Sequence, residues 1–268
     1  MHQKPVEIGA FGAKPKMMTG NMTQQSKIEF TFYGDLLGIS NYYRLSSEVA
    51  YQKLNRYYNI TFQCFSGYCD ENIGNINVEM FSDSVLIWGN DLQSVLVLLQ
   101  KLYINLIDES LLLRGAIVSE KLSQDPRKTV QNFRKFLPEN KALANAVGLE
   151  STQKGARLLL ENTLAEKMLR EVPDWLTNEG YLKDLNQNIQ EEDIRRKICP
   201  TPKNETYEIL YFWEGEQLNH NNYEKRRTHF KELSQFVDEP ILTHFRETTM
   251  LLERCELRQK ITKEKLHN

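Results

Sequence analysis

Residues 75–88 read Asn75-Ile76-Asn77-Val78-Glu79-Met80-Phe81-Ser82-Asp83-Ser84-Val85-Leu86-Ile87-Trp88. Ile76, Val78 and Met80 alternate with their neighbours, and Val85-Leu86-Ile87 is a short continuous apolar run, so the pattern predicts two strands meeting at Phe81-Ser82-Asp83-Ser84. The tip of that hairpin carries a carboxylate. Gly89-Asn90-Asp91 then breaks the pattern, and Leu92–Ile107 returns to apolar residues at helical spacing, with Asp91 placed to cap the helix start. Leu111–Val118 is compact enough for another strand.

Upstream, Ile28–Leu37 alternates apolar and polar residues and runs into the turn Gly38-Ile39-Ser40. A helix is expected next, from Tyr43, Leu45, Val49, Leu54 and Tyr57, with Ser40 or Asn41 as its cap. Downstream, Lys141–Leu169 reads as one or two helices broken near Gly155. Strand, helix, hairpin, helix, strand and helix in that order predict an α+β, palm-like (ferredoxin-like) sheet with helices packed on one face. Residues 1–27, with scattered glycine, proline and methionine, read as a flexible lead-in; residues 28–172 form the expected domain. Residues 173–268 form a mainly helical C-terminal region. Within it Asp184–Arg196 reads as a solvated charged segment, Tyr207–Trp213 as a strand, and His220–Lys260 as helix interrupted at Pro240.

Of the 268 residues 40% are hydrophobic and 26% charged, which is too apolar for wholesale disorder. A formal net charge of −2 supplies no field that would draw nucleic acid or an anionic membrane. The basic runs Lys225-Arg226-Arg227 and Arg254–Lys265 are interleaved with glutamates and read as solvated helix faces. Apolar stretches such as Ser94–Ile107 are interrupted by Gln100, Lys101 and Asn105 and fall short of the roughly 20 residues of a membrane helix. With no secretory signal pattern at the start, a cytoplasmic location is expected. Cys64, Cys69, Cys199 and Cys255 are scattered and read as reduced structural thiols. His2, His220, His229, His244 and His267 make no ligand-spaced cluster and read as surface residues. No Gly-x-Ser-x-Gly elbow and no Walker-type loop occurs.

Two carboxylates stand out because strand ends converge: Asp35 at the end of the first strand and Asp83 at the hairpin tip. Hard divalent cations take a few carboxylate oxygens and complete their shell with water and phosphate. Each aspartate alone also fits turn formation or helix capping.

Four segments resemble the class III nucleotidyl cyclases, including the pyrimidine cyclases of bacterial anti-phage (Pycsar-type) systems. Asp35-Leu36-Leu37-Gly38-Ile39-Ser40 is similar to the first metal motif of that family. Val78-Glu79-Met80-Phe81-Ser82-Asp83 resembles the second, with Ser82 where glycine is usual. Leu113-Arg114-Gly115-Ala116-Ile117 resembles the strand after the second helix, and Asn145–Glu150 the helix ending in Leu-Glu. The resemblance spans Ile28 to Leu169 in the family order. It implies a cyclase converting a nucleoside triphosphate to a 3′,5′-cyclic nucleotide and pyrophosphate, in bacterial anti-phage signalling, with Asp35 and Asp83 holding Mg²⁺ or Mn²⁺. Glu79 stands where the base is read, Gly38 in the nucleotide-binding turn, and a homodimer is implied. The sequence departs from the family at Ala144, where asparagine is usual, at Gly148, where arginine steadies the transition state, and at Glu120, where glycine is common. Arg114 and Arg157 are the candidate substitutes for that arginine. The alternative is a catalytically silent nucleotide-binding or scaffold module.

Overall fold

The computed structural model describes residues 27–72, 74–125, 136–171, 182–184, 206–212, 220–235 and 239–266, of which 182–184, 220–221, 240 and 257–266 as backbone alone. The expected lead-in, nearly all of the charged segment 184–196, Trp213, Cys199, His2 and His267 lie outside the described residues.

Strand β1 (Phe30–Leu36) organises the molecule through its period of two. Phe30, Phe32 and Leu36 point to one face and are buried in the main core, whereas Thr31, Tyr33 and Asp35 point to the other. Helices α1 (Ile39–Leu45) and α2 (Ser47–Glu71) follow, then the hairpin β2 (Ile76–Phe81) and β3 (Ser84–Gly89), helix α3 (Leu92–Asp108) and β4 (Leu113–Val118). Next come α4 (Ala142–Glu150), β5 (Leu158–Glu161) and α5 (Asn162–Glu171). The short strands β6 (Leu182–Asp184) and β7 (Thr206–Ile209) precede α6 (His220–Ser234) and α7 (Glu239–Leu266). The sheet order is β2-β3-β1-β4-β5-β7-β6, antiparallel throughout except for the β4–β5 pair. Its first four strands, with α2 and α3 as connections, form the palm-like α+β arrangement.

Helix α3 buries Val95, Leu96, Leu99, Leu102, Tyr103 and Leu106, a stripe at three- and four-residue spacing, against the core face of the sheet. Asp91 caps it, its carboxylate accepting from the Ser94 amide at 3.2 Å. The cap expected at Ser40 or Asn41 is not formed. Gly38 precedes α1 in left-handed geometry (φ 84°), and the helix stops at Ser46, whose hydroxyl caps α2 by accepting from the Glu48 amide.

Lys141–Leu169 is not an all-helical stretch: Leu158–Glu161 forms β5, parallel to β4, and a buried strand of consecutive leucines has no period to announce it. The break at Gly155 is present, with φ 90°. The helical stretch 220–260 does divide near Pro240: α6 ends at Ser234 and α7 starts at Glu239, with Pro240 in its first turn, where its missing N–H leaves no intrahelical bond unmade. A boundary at 172–173 would cut a single sheet, because β7 pairs with β5 while Tyr211, Phe212, Phe245, Leu251 and Leu252 join the main core. The described cysteines Cys64 and Cys69 are free, and no described helix is long and apolar enough to cross a membrane.

Gly34 and Gly115 face each other across β1 and β4, and the Phe32 ring lies over both. A Cβ at Gly115 would stand 2.5 Å from Phe32 Cε2 and 2.8 Å from the Tyr103 hydroxyl, which donates to the Arg157 carbonyl at 3.2 Å. The hollow is needed for the ring to fill. Gly115→Ala should therefore lower stability by about 1–3 kcal/mol through overpacking, read as a lower urea midpoint with an unchanged denaturant slope.

Candidate functional site

The sheet register carries one line of side chains across four strands. Phe81 pairs with Ser84, Ser84 with Asp35, and Asp35 with Arg114, so all four side chains share the face opposite α2 and α3. One row along, Glu79, Leu86, Tyr33 and Ala116 repeat the pattern. Leu86, Trp88 and Tyr33 pack there against Leu122, Ala142 and Leu143, so α4 covers the β1–β4 part of this face. Glu79 and Phe81 on the edge strand remain exposed.

Asp83 is brought to Asp35 by the backbone. Its carbonyl accepts from the Leu36 amide at 2.8 Å, and Ser82 takes a left-handed φ of 53° to close the hairpin. That conformation is easier for the glycine the resembling motif has at this place. The Asp35 carboxylate accepts from Ser84 Oγ at 3.1 Å, and the Tyr33 hydroxyl lies 3.0 Å from the same Ser84 oxygen. Burial lifts the Asp35 pKa above the usual carboxylate range and the neighbouring Asp83 charge lifts it further, against the Ser84 hydrogen bond and the Arg114 charge. Two carboxylates are thus held near one another on a partly desolvated face. The Tyr57 hydroxyl, also raised by burial and by the nearby Asp35, is buried without a hydrogen-bond partner among the described residues.

Arg114 is held from above. Glu150, the last residue of α4, accepts from Arg114 Nε, and both side chains are largely buried. Burial raises the Glu150 pKa, Arg114 opposes the shift, and Asp35 adds to it. The positive and negative groups therefore form one cluster: Asp35, Asp83, Arg114 and Glu150.

Arg157 is elsewhere. Its guanidinium is buried in an ion-pair group with Glu208 and Glu247, and its Nε donates to the Lys154 carbonyl at 2.8 Å. Arg254 reaches the other oxygen of Glu208 at 2.8 Å. Arg157 is thereby committed to joining β5, β7 and α7, and the structure does not bring it to Asp35. Gly38 serves chain geometry: it carries the left-handed turn, and Ile241 of α7 lies 3.4 Å from where its Cβ would be. Among the histidines, His244 is not a solvated surface group. Its Nδ1 accepts from the Gly155 amide at 3.0 Å, and burial with the nearby Arg114 and Lys154 charges lowers its pKa to about 4.

Sequence reading takes Glu150 only as the end of a helix and His244 as a surface group, and gives neither a place in this cluster. A signal for the first was available: a glutamate ending an otherwise apolar helix, where the helix dipole disfavours negative charge. His244 carried none. Ala144 and Gly148 line an open groove of about 540 Å³ with Asn145, Thr152 and Asn162.

The donors Asp35 and Asp83 are hard oxygens, and the Asp83 charge acts on Asp35, so the residues fit a hard divalent cation with the rest of its shell coming from water or phosphate. Among the described residues no group of three or more His, Cys, Asp or Glu side chains forms a self-sufficient metal site. The raised Asp35 pKa also sets a sign. Ionising Asp35 costs the fold stability, an effect absent below about 3.8 and developed as pH rises through the folded-state value. Asp35→Asn should thus raise the melting temperature at pH 7, by an amount that shrinks on acidification and vanishes below about pH 4.

No family model matches the chain, and no curated protein matches it. Solved structures do match it. An adenylyl cyclase from P. aeruginosa shares 14% identity over 69% of this chain and 94% of its own, with a TM-score of 0.46. A guanylate cyclase domain from Catenaria anguillulae, in complex with GTP, shares 13% over 69% and 96%, with a TM-score of 0.46. Adenylate cyclases from Trypanosoma brucei, in their monomeric state, share 11% over 72% and 94%, with a TM-score of 0.48.

Proposed function

We propose that this chain is a metal-dependent nucleotide cyclase that acts on a nucleoside triphosphate at the face carrying Asp35. The observation that carries this reading is the line Ser84, Asp35, Arg114, with Asp83 tied alongside through the Leu36 amide. Asp35 and Arg114 share one face of the sheet and the Asp83 charge acts on Asp35, which supports the reading because a metal-bound polyphosphate needs carboxylates beside a guanidinium. The segments resembling the cyclase motifs supply β1, the β2–β3 hairpin and β4, in that order.

In this reading Asp35 and Asp83 would hold Mg²⁺ or Mn²⁺, which when bound would supply charge neutralisation at a triphosphate and acidify a 3′-hydroxyl. Ser84 fixes one oxygen of Asp35 and so orients the carboxylate. Arg114 binds phosphate oxygens and offsets charge that builds up as pyrophosphate leaves. Glu79, exposed on the same face, offers a carboxylate to base N–H groups. The base it selects, the pairing of two copies and a part in bacterial anti-phage signalling belong to the same proposal.

Helix α4 carries Gly148, where the resembling family has arginine. A Cβ at Gly148 would meet nothing within 4 Å, so a long side chain fits there without disturbing the core. A missing charged donor to the reacting phosphate typically costs about 10²-fold. The test is incubation of purified protein with each of the four NTPs and Mn²⁺ or Mg²⁺, reading cyclic product and pyrophosphate. Activity should be present, lost in Asp35→Asn and Asp83→Asn, and increased at least about 10-fold by Gly148→Arg. Ala144 and Gly148 favour the second reading, a nucleotide-binding module without turnover. Metal-dependent NTP binding with no product, even from Gly148→Arg, would establish it in place of the first.

A further inference from the structure

Glu150 occupies a costly position. It ends helix α4, where the carbonyl ends of the helix disfavour a negative charge, and it is 3% exposed. Among the described residues only Arg114 hydrogen-bonds its carboxylate, and the nearby Asp35 adds repulsion that Lys154 partly offsets. An apolar residue there would fasten α4 to the sheet at lower cost, since well-packed hydrophobic groups commonly do as well as a buried ion pair or better. Local choices that conflict with stability concentrate at functional sites.

The geometry of the pair shows what the position achieves. Glu150 takes Nε, and among the described residues Nη1 and Nη2 of Arg114 have no hydrogen-bond partner. The Arg114 side chain is 15% exposed, so it is reachable from solvent on the face it shares with Asp35. A free arginine side chain has considerable rotamer freedom to lose on binding an anion; one already held by Nε has lost much of it.

We infer that Glu150 is a positioning residue, holding Arg114 by one edge of its guanidinium so that the two terminal amino groups form a prepared fork for the polyphosphate of a nucleotide. The inference deepens the cyclase reading and rests on it for the identity of the ligand, but not for its test. A carboxylate that merely neutralised Arg114 would give the opposite result, because removing it would raise the positive potential felt by an anion.

The test uses inorganic triphosphate with Mn²⁺ as the probe, titrated calorimetrically into the full chain, with melting curves confirming that each variant is folded. Arg114→Ala should weaken binding at least about 10-fold and Glu150→Ala about 5-fold or more. Glu150→Gln, whose side-chain oxygen still accepts from Nε, should stay within about twofold of the parent. In the Arg114→Ala background Glu150→Ala should add nothing, as expected of a residue that acts through another. If Glu150→Ala does not fold, Glu150→Asp takes its place, the shorter side chain losing contact with Nε. Binding that is unchanged or tighter in the Ala or Asp variant, a Gln variant as weak as Ala, or an effect that persists without Arg114 would each overturn the proposal. Failure of the cyclase reading looks different: the parent would bind triphosphate through Arg114 and make no cyclic product from any NTP.

Discussion

The alternation of one strand underlies the whole arrangement. β1 is the third strand in sheet order, with partners on both sides, and its seven residues divide strictly between two faces. Phe30, Phe32 and Leu36 anchor the core, and Phe32 can lie flat because Gly34 and Gly115 provide no side chain in its way. The same alternation turns Tyr33 and Asp35 toward the other side. A slip of one residue would bury the carboxylate among leucines and expose the aromatic rings, so the register that forms the core also fixes the chemistry.

Much of this was legible because it is periodic or local. The hairpin, α3 with its Asp91 cap and β4 each carry their own signal in the residues that form them, and the hairpin tip announces Asp83 directly. What sequence reading missed depends on distant parts of the chain. Arg157 beside Leu158-Leu159-Leu160 invited a helical and catalytic interpretation; its counter-charges Glu208 and Glu247 are 51 and 90 positions away, so nothing near it in sequence marks it as buried. His244 is similar, since Gly155 and Arg114, which define its surroundings, belong to other elements. Asp35 and Arg114 are 79 positions apart by the chain and direct neighbours in the sheet, a relation only the register reveals.

The site and the C-terminal helix are physically joined. Ile241 lies against Gly38 just beyond Asp35, and His244 and Thr248 accept from the Gly155 and Ala156 amides just beyond Glu150. Helix α7 thus touches the chain immediately after each of the two acidic residues that frame Arg114. Polar satisfaction at the α4–β5 turn depends on it, since the two amides would otherwise be left without these acceptors.

The buried group of Arg157, Glu208, Glu247 and Arg254 has a consequence for how the protein is born. Chains leave the ribosome from the N-terminus at about 5–20 residues per second, so Arg157 emerges roughly 5–20 s before Glu247, 90 positions later. During that interval the β4–β5 edge holds a guanidinium that cannot be buried without its carboxylates. Completion of the sheet must wait for β7, which ends at Ile209, and closure of the ion-pair group for α7, which leaves the unfinished edge as the surface a chaperone would have most reason to shield.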